Sequence, residues 1–447
     1  MNKRLIIIFT SLVLVTMTVA CGSSNEGDKT NKTKEGKTNK TKEGKTIVTM
    51  SLFNPNSWYV SAIKKFEKQN PDIEVRLQLF KQENEKVEEQ DDNRYVQKIN
   101  TELLSGAAAD IIDVANLPVG KYVNKKLLLN MNDFIKKEKL LEKGDLYPNI
   151  VDEMGINGGL YSMPLSLHLH TFLGDGNILE KANVQVDDQK WTWQQFEQVA
   201  KQIMKSMDEG DSRYALANTP PEEQLLDIVI DQSSEFIDRS NQKANFDSPS
   251  FITLMEQIKS MYDHQVATSK EADYGEQLFS SITLVSPPDF IFWPHTLYKK
   301  PVLLNKPHAA GQTRGVSFSA PKQLAISSKS DVSEEAWKFL VSEQAQSMPE
   351  RSGFSVLASV NEQELNERQK QVESGEFKLE SGQAVKATEG YFIKAKQLLA
   401  AASGYRSGED KLYSIVGEEA KSYFSGQKSA EEVAKLIQNR VTTYLNE

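Results

Sequence analysis

The chain has 447 residues, which accommodates two or three domains with sizeable cores and excludes a small stapled module. Hydrophobic side chains make up 39% and charged ones 26%, the balance of a water-soluble globular protein rather than a polytopic membrane protein or a disordered chain. The 53 Lys and Arg against 62 Asp and Glu give a net charge of -9, a sign opposed to nucleic-acid binding, and the single cysteine excludes an intrachain disulfide or a cysteine-ligated metal centre.

The first segment is a targeting pattern. Lys3 and Arg4 precede an apolar run, Leu5 to Val19, that is too short to span a bilayer, so residues 1–20 read as a signal peptide. The junction Thr18-Val19-Ala20-Cys21-Gly22 resembles the lipobox of bacterial lipoproteins, with Thr18 where Leu is usual. That resemblance implies lipidation of Cys21 and a membrane tether outside the cytoplasm, since two or more acyl chains suffice for stable anchoring. An ordinary secretory signal cleaved near Ala20 is the alternative, and it leaves an exposed free thiol. After Cys21 the octapeptide NKTKEGKT occurs twice, at 31–38 and 39–46, without a large apolar residue, so 21–46 is expected to be a disordered linker. Its Gly-Lys-Thr triplets lack the earlier glycine of a phosphate-binding loop. From residue 47 onward 44 basic side chains face 58 acidic ones, a net of -14.

The body begins with a βαβ pattern. Ile47 to Leu52 is a strand-like run, Trp58 to Gln69 places Tyr59, Ala62, Ile63 and Phe66 at helical spacing, and Asn70-Pro71 stops that helix before a strand from Ile73 to Phe80. Tyr95 to Leu104 reads as a helix ended by Gly106, and Asp110 to Ala115 as a buried strand. Thr192 with Gln195 forms a capping box, Ser248-Pro249 starts another helix, and Ser429 with Glu432 caps a last one. The apolar stripe of that last helix, from Val433 to Leu445, reads as a docking face. Strand and helix alternate throughout, which predicts an α/β protein of two lobes with parallel sheets.

The blocks FEKQNPDIEV at 66–75, YVQKINTELLSGAAADIIDV at 95–114, TWQQFEQVAKQI at 192–203 and EEAWKFLVSEQAQ at 334–346 together resemble the extracellular solute-binding proteins of ABC importers, in their carbohydrate-binding branch. The resemblance implies a periplasmic-binding-protein-like fold, two α/β lobes joined by hinge crossovers with a ligand cleft between them. It places 47–167 and about 283–330 in an N-terminal lobe, and 168–282 and about 331–447 in a C-terminal one. It further implies capture of a saccharide by lobe closure, delivery to ABC permease subunits, no cofactor, no catalysis and a monomeric receptor. Two departures bear on the ligand: Gly353-Phe354-Ser355 stands where the family commonly has a Gly and a Leu-Pro turn, and Leu173-Gly174-Asp175 where it has an aromatic-Asn pair.

A saccharide needs flat aromatic faces and fixed hydrogen-bonding groups. Trp191, Trp193 and Trp337 sit in or beside amphipathic helices and read as core, which leaves Trp58 and Trp293. Trp58, with Asn54 before it and Tyr59 after it, follows a strand at the carboxyl edge of a parallel sheet, where open α/β folds bind ligands. Trp293 lies in the aromatic, Pro-rich stretch 287–294, and for both tryptophans ligand contact and core packing stay open. Asp113 and Asn116, at the end of their strand, require partners from a sugar or from protein amides. His168 and His170 alternate on a strand-like run and face one side, a spacing compatible with solute hydrogen bonds, structural burial or metal ligation, although no clustered carboxylates accompany them. Hydrolase and dinucleotide motifs are absent, and Asp91-Asp92 read as part of a solvated charge run. The alternatives are a receptor for another solute class (oligopeptide, metal or cationic solute) and a sensor or adhesin lipoprotein.

Overall fold

The computed structural model describes residues 39–446 apart from 212, 240, 274, 309–314, 348–351 and 409, so the signal peptide, Cys21 and the first repeat copy lie outside the described residues. Its second copy is not a disordered linker as expected. Thr41 N–H donates to Lys45 O (2.8 Å) and Ile47 N–H to Asn39 O (2.9 Å), so Asn39–Thr46 folds into a turn against the start of the first strand. The copy follows its neighbour: Ile47 and Val48 are buried, and the preceding polar residues gain backbone partners from them.

Ten strands are present among the described residues: β1 (Thr46–Leu52), β2 (Ile73–Leu79), β3 (Ile111–Asp113), β4 (Met163–Asp175), β5 (Ile237–Asp238), β6 (Lys243–Ala244), β7 (Phe279–Leu284), β8 (Pro301–Leu304), β9 (Ser317–Ile326) and β10 (Tyr405–Arg406). One eight-stranded sheet runs β2-β1-β3-β9-β4-β7, with β10 on β9 and β8 on β4. The expected parallel sheets are corrected here. β1 pairs parallel with β2 and β3, but β9 enters antiparallel to β3, and β4 is antiparallel to β7, β8 and β9. The β4–β9 ladder shifts register between Pro164 and His168.

Helix Ser57–Gln69 shows how local sequence sets these elements. The Asn56 side chain caps it by accepting from Trp58 N–H at 2.9 Å, and its buried Trp58, Tyr59, Ala62, Ile63 and Phe66 form one face. Asp110 ties β3 to β1 by accepting from Thr49 N–H (2.8 Å) and Thr49 Oγ1 (2.6 Å), and Ser330 Oγ donates to it at 2.8 Å. Both predicted capping boxes form, at Thr192/Gln195 and Ser429/Glu432.

Two large cores share the sheet. The first gathers Met50, Leu52, Trp58, Phe66, Leu165, Leu167, Leu324 and Phe354; the second gathers Phe172, Trp191, Phe196, Phe251, Phe279 and Ile437. A smaller cluster with Tyr95, Ile112, Val114, Leu117 and Tyr122 covers the other face of β3. β4 feeds both large cores, through Leu165, Leu167 and Leu169 on one side and Phe172 on the other. Trp337, Phe339 and Leu399 pack into the first core, although the expected division assigns 331–447 to the other lobe; Leu412, Val416 and Val433 pack into the second. Val433, Ile437, Val441 and Leu445, read as a docking face, are interior. Asp91 also departs from expectation: it is 1% exposed and paired with Lys81 Nζ at 2.7 Å.

Candidate functional site

The register of β4 puts His168 opposite Ser319 and His170 opposite Ser317 on β9 and Thr283 on β7. Thr283 Oγ1 lies 3.1 Å from His170 Nδ1, and Ser319 Oγ 2.9 Å from its Nε2. Burial, with Arg406 and Lys306 nearby, lowers the His170 pKa well below its ordinary value and keeps the imidazole neutral. Burial likewise takes His168 down to about 4, with help from Lys322. Nε2 of His168 is buried and has no hydrogen-bond partner in the protein.

Toward the first core, Asp113 Oδ1 accepts from Ala115 N–H (3.2 Å) and Oδ2 from the Tyr59 hydroxyl (3.4 Å). Burial pushes the Asp113 carboxyl up to about 6, against the pull of those two bonds and of Lys322. The Tyr59 hydroxyl is raised too, by burial and then by the neighbouring Asp113. Trp58 lies against Tyr59, ring centroids 4.3 Å apart, and Lys322 Nζ stands 5.8 Å from its ring centroid. Lys322 thus neighbours Trp58, Asp113 and His168.

Toward the second core lies a cluster of four charges. Lys306 Nζ is 2.7 Å from Asp227 Oδ2 and 3.0 Å from Asp231 Oδ2; Arg406 Nη1 is 2.9 Å from Asp227 Oδ1 and 3.1 Å from Asp231 Oδ1. Both carboxylates project from helix Pro221–Asp231 one turn apart, as i and i+4 spacing requires. Burial opposes the charge of Asp227, Lys306 and Arg406; the two cations outweigh it and hold Asp227 well below the usual carboxylate range, and the neighbouring carboxylates hold both cations above theirs. A cavity of about 210 Å³ adjoins this cluster, lined by Phe172, Trp193, Gln224, Asp227, Gln277 and Lys306 among others. Amides, hydroxyls and aromatic edges line it beside the paired Asp227 and Lys306. A second cavity of about 210 Å³ opens among the 115–120, 153–156, 233–239 and 404–408 segments, with Arg239, Ser233, Gln323 and Tyr405 in its wall.

Of the residues singled out from sequence, Trp58, Tyr59, Asp113, His168 and His170 fall along one polar seam between the two cores. Trp58 and Tyr59 are only 1% and 2% exposed and count in the first core. Asn54 is exposed in the loop after β1, and Asn116 is exposed beside Gly408. Trp293 stands apart, half-buried on helix Asp289–Leu297 with its ring 5.1 Å from Phe292 and in the wall of neither cavity. Among the described residues no group of three or more His, Cys, Asp and Glu could hold a metal, and no helix is long and apolar enough to cross a membrane. Sequence reasoning missed Lys322, Lys306, Arg406, Gln224 and the Asp227/Asp231 pair. The pair did carry a signal: two acids inside the apolar run LLDIVID demand buried partners.

A family model described as bacterial extracellular solute-binding protein matches residues 52–346. Among solved structures, a family 1 extracellular solute-binding protein from Alicyclobacillus acidocaldarius is 18% identical, with a TM-score of 0.61, over 90% of this chain and 99% of that one. The sugar-binding protein MalE from Xanthomonas citri is 17% identical at TM-score 0.61, over 90% and 98%. A periplasmic oligogalacturonide-binding protein from Yersinia enterocolitica is 18% identical at TM-score 0.60, over 90% and 99%.

Proposed function

Because the chain belongs to the bacterial extracellular solute-binding proteins, which serve ABC transporters, we propose that it is a saccharide receptor rather than an enzyme. The observation that carries this reading is the seam along β4. It lies where a strand common to both cores brings neutral imidazoles, hydroxyls and amides together, and its buried charges are neutralised by one another. Such a lining supplies hydrogen bonds without a net field, which suits a neutral glycan; the sugar-binding Xanthomonas relative and the oligogalacturonide-binding Yersinia relative support a saccharide as the solute.

The two cores correspond to the two lobes, and β4, β9 and the segment near 402–412 to the crossovers. A solute that touches both lobes binds the closed arrangement better than the open one, so closure follows binding by population shift. A permease that recognises the closed form then takes loaded receptors, with ATP spent by another subunit. Lys322 and Asp113 meet the solute from the first lobe, Gln224 and Gln277 from the second, and His168 Nε2 supplies a hydrogen-bonding atom between them. Cys21 carries the lipid that holds the receptor at the outer face of the cytoplasmic membrane.

A thermal-shift panel of mono- and oligosaccharides tests the reading. A solute at about 100 times its Kd adds roughly 2.7 kcal/mol of stability. Stabilisation by oligopeptides or zinc alone moves the receptor to another solute class, and turnover of a panel sugar refutes the binding-protein reading.

A further inference from the structure

The last helix, Ala430–Asn446, buries Val433, Ile437, Val441 and Leu445 in the second core and leaves Tyr444 half-buried at its edge. The Tyr444 ring has two cations over it: Lys411 Nζ from helix Asp410–Phe424 and Lys121 Nζ from helix Val119–Asn124, each 5.3 Å from the centroid. Lys411 belongs to the same side of the molecule as Tyr444. Lys121 does not: its neighbour Tyr122 packs with Ile112 of β3 and with Val114 just after it, across the seam. Close by in the chain, the crossover segment packs on the first side. A Cβ on Gly408 would lie 3.0 Å from Ala115 O and 3.5 Å from Asn116 Oδ1, so the 404–408 and 115–120 segments meet with no room for a side chain between them. These same segments wall the second cavity. The two sides therefore meet through a ring over which a cation from each side sits.

We propose that Tyr444 and Lys121 form a latch that favours the closed arrangement of the two lobes whether or not solute is present, with Lys411 steadying the ring from its own lobe. This rests on the two-lobe closure reading above. A cation beside an aromatic face is attracted by the ring quadrupole, and Tyr is a good acceptor of that contact. Only the Lys121 contact is broken when the lobes part, because Lys411 moves with Tyr444. At a partly exposed site one such contact changes an equilibrium about two- to fivefold. The latch therefore biases closure without locking it, and bound solute still shifts the equilibrium further than the latch does.

The test uses no solute. Nitroxide labels at Lys125→Cys and Asn439→Cys, both exposed positions on the two sides, are placed in the full chain carrying Cys21→Ser, and the distance distribution is read by double electron–electron resonance. Tyr444→Leu and Lys121→Gln should each lower the near-to-far ratio about two- to fivefold, the double variant no further than either alone, and Tyr444→Phe should keep the wild-type ratio. Gly408→Val, which adds bulk against Ala115 O beside a crossover, should shift the ratio as well. An unchanged ratio in Lys121→Gln, or losses that simply add in the double variant, overturns the latch. If Tyr444→Leu lowers the melting temperature through its own helix, Lys121→Gln on the other side decides. A single distance in the wild type that Gly408→Val does not move overturns the closure reading itself, and the latch with it.

Discussion

Lys306→Met is predicted to cost about 3 kcal/mol of folding stability at pH 7. Lys306 is 7% exposed and bridges Asp227 and Asp231 at 2.7 and 3.0 Å, so the substitution leaves a largely covered carboxylate, Asp231, and one 31% exposed, Asp227, to share Arg406. Removing one partner of a buried ion pair usually costs about 3–5 kcal/mol, because the charge left behind is uncompensated; the lower end applies here because Arg406 still reaches both acids. The pH dependence follows from the sign of the Asp227 shift. A carboxyl held below its unfolded value contributes stability that is present above about pH 3.8 and lost as pH falls through the folded pKa. In the variant that contribution is missing, so the gap to wild type holds down to about pH 4 and narrows by at least about 1 kcal/mol between pH 7 and about pH 2.5. Urea titrations followed by circular dichroism at both pH values read the gap directly. Adding Asp231→Asn to Lys306→Met should recover about half the loss. A cost under about 1 kcal/mol at pH 7, or a gap that widens at about pH 2.5, would refute the view that Lys306 compensates these carboxylates.

Asp113 has the opposite sign. Its raised carboxyl stabilises the fold below pH 3.8, and that contribution is lost as pH rises through about 6, so we predict that Asp113→Asn is more stable than wild type by about 1–2 kcal/mol at pH 7.5 and no more stable at pH 3; equal melting-temperature differences at both pH values would count against it. Trp58→Ala, which empties a site 1% exposed, should cost about 3–5 kcal/mol in urea titration, and a loss below about 1 kcal/mol would remove Trp58 from the core. Trp293→Ala should leave the affinity for whichever panel sugar binds within about twofold by calorimetry, because it stands apart from the seam, and a larger loss would return it to the site. That affinity should change less than about threefold between 50 and 500 mM NaCl, since screening acts on unpaired charges; a tenfold loss would move the solute to a charged class.

Features set by neighbours in sequence were readable from it, and features set across long separations were not. The capping boxes at Thr192/Gln195 and Ser429/Glu432 involve residues three apart, and the face of helix Ser57–Gln69 repeats every three or four positions. The antiparallel entry of β9 pairs Ser166 with Lys322, which nothing in either segment announces, so the alternation of strands and helices suggested parallel sheets. The same pairing brings Lys322 beside Asp113 and His168, which is why a lysine central to the seam escaped notice. Asp91 looked solvated because charged residues surround it in sequence, whereas Lys81 supplies its partner in space. The common face of His168 and His170 was visible from strand alternation alone, but not the hydroxyls that meet His170 from two other strands.

At the register shift of β4, Leu167 turns from β9 to Phe354, each N–H donating to the other's carbonyl at 2.8 Å. Gly353 next to it has φ of 101°, and a Cβ there would come within 1.9 Å of Ser166 Oγ, so this crossing of chains admits only glycine. β4 is thus two half-ladders joined by a dislocation, and a dislocation is where a crystal slips under shear. The shift falls within the part of β4 that packs in the first core, at Leu165 and Leu167, so it bends the strand before it reaches Phe172 of the second core. That slip in register ends at His168, so the bend of the strand sets where its buried, unpartnered Nε2 stands between the elements around it.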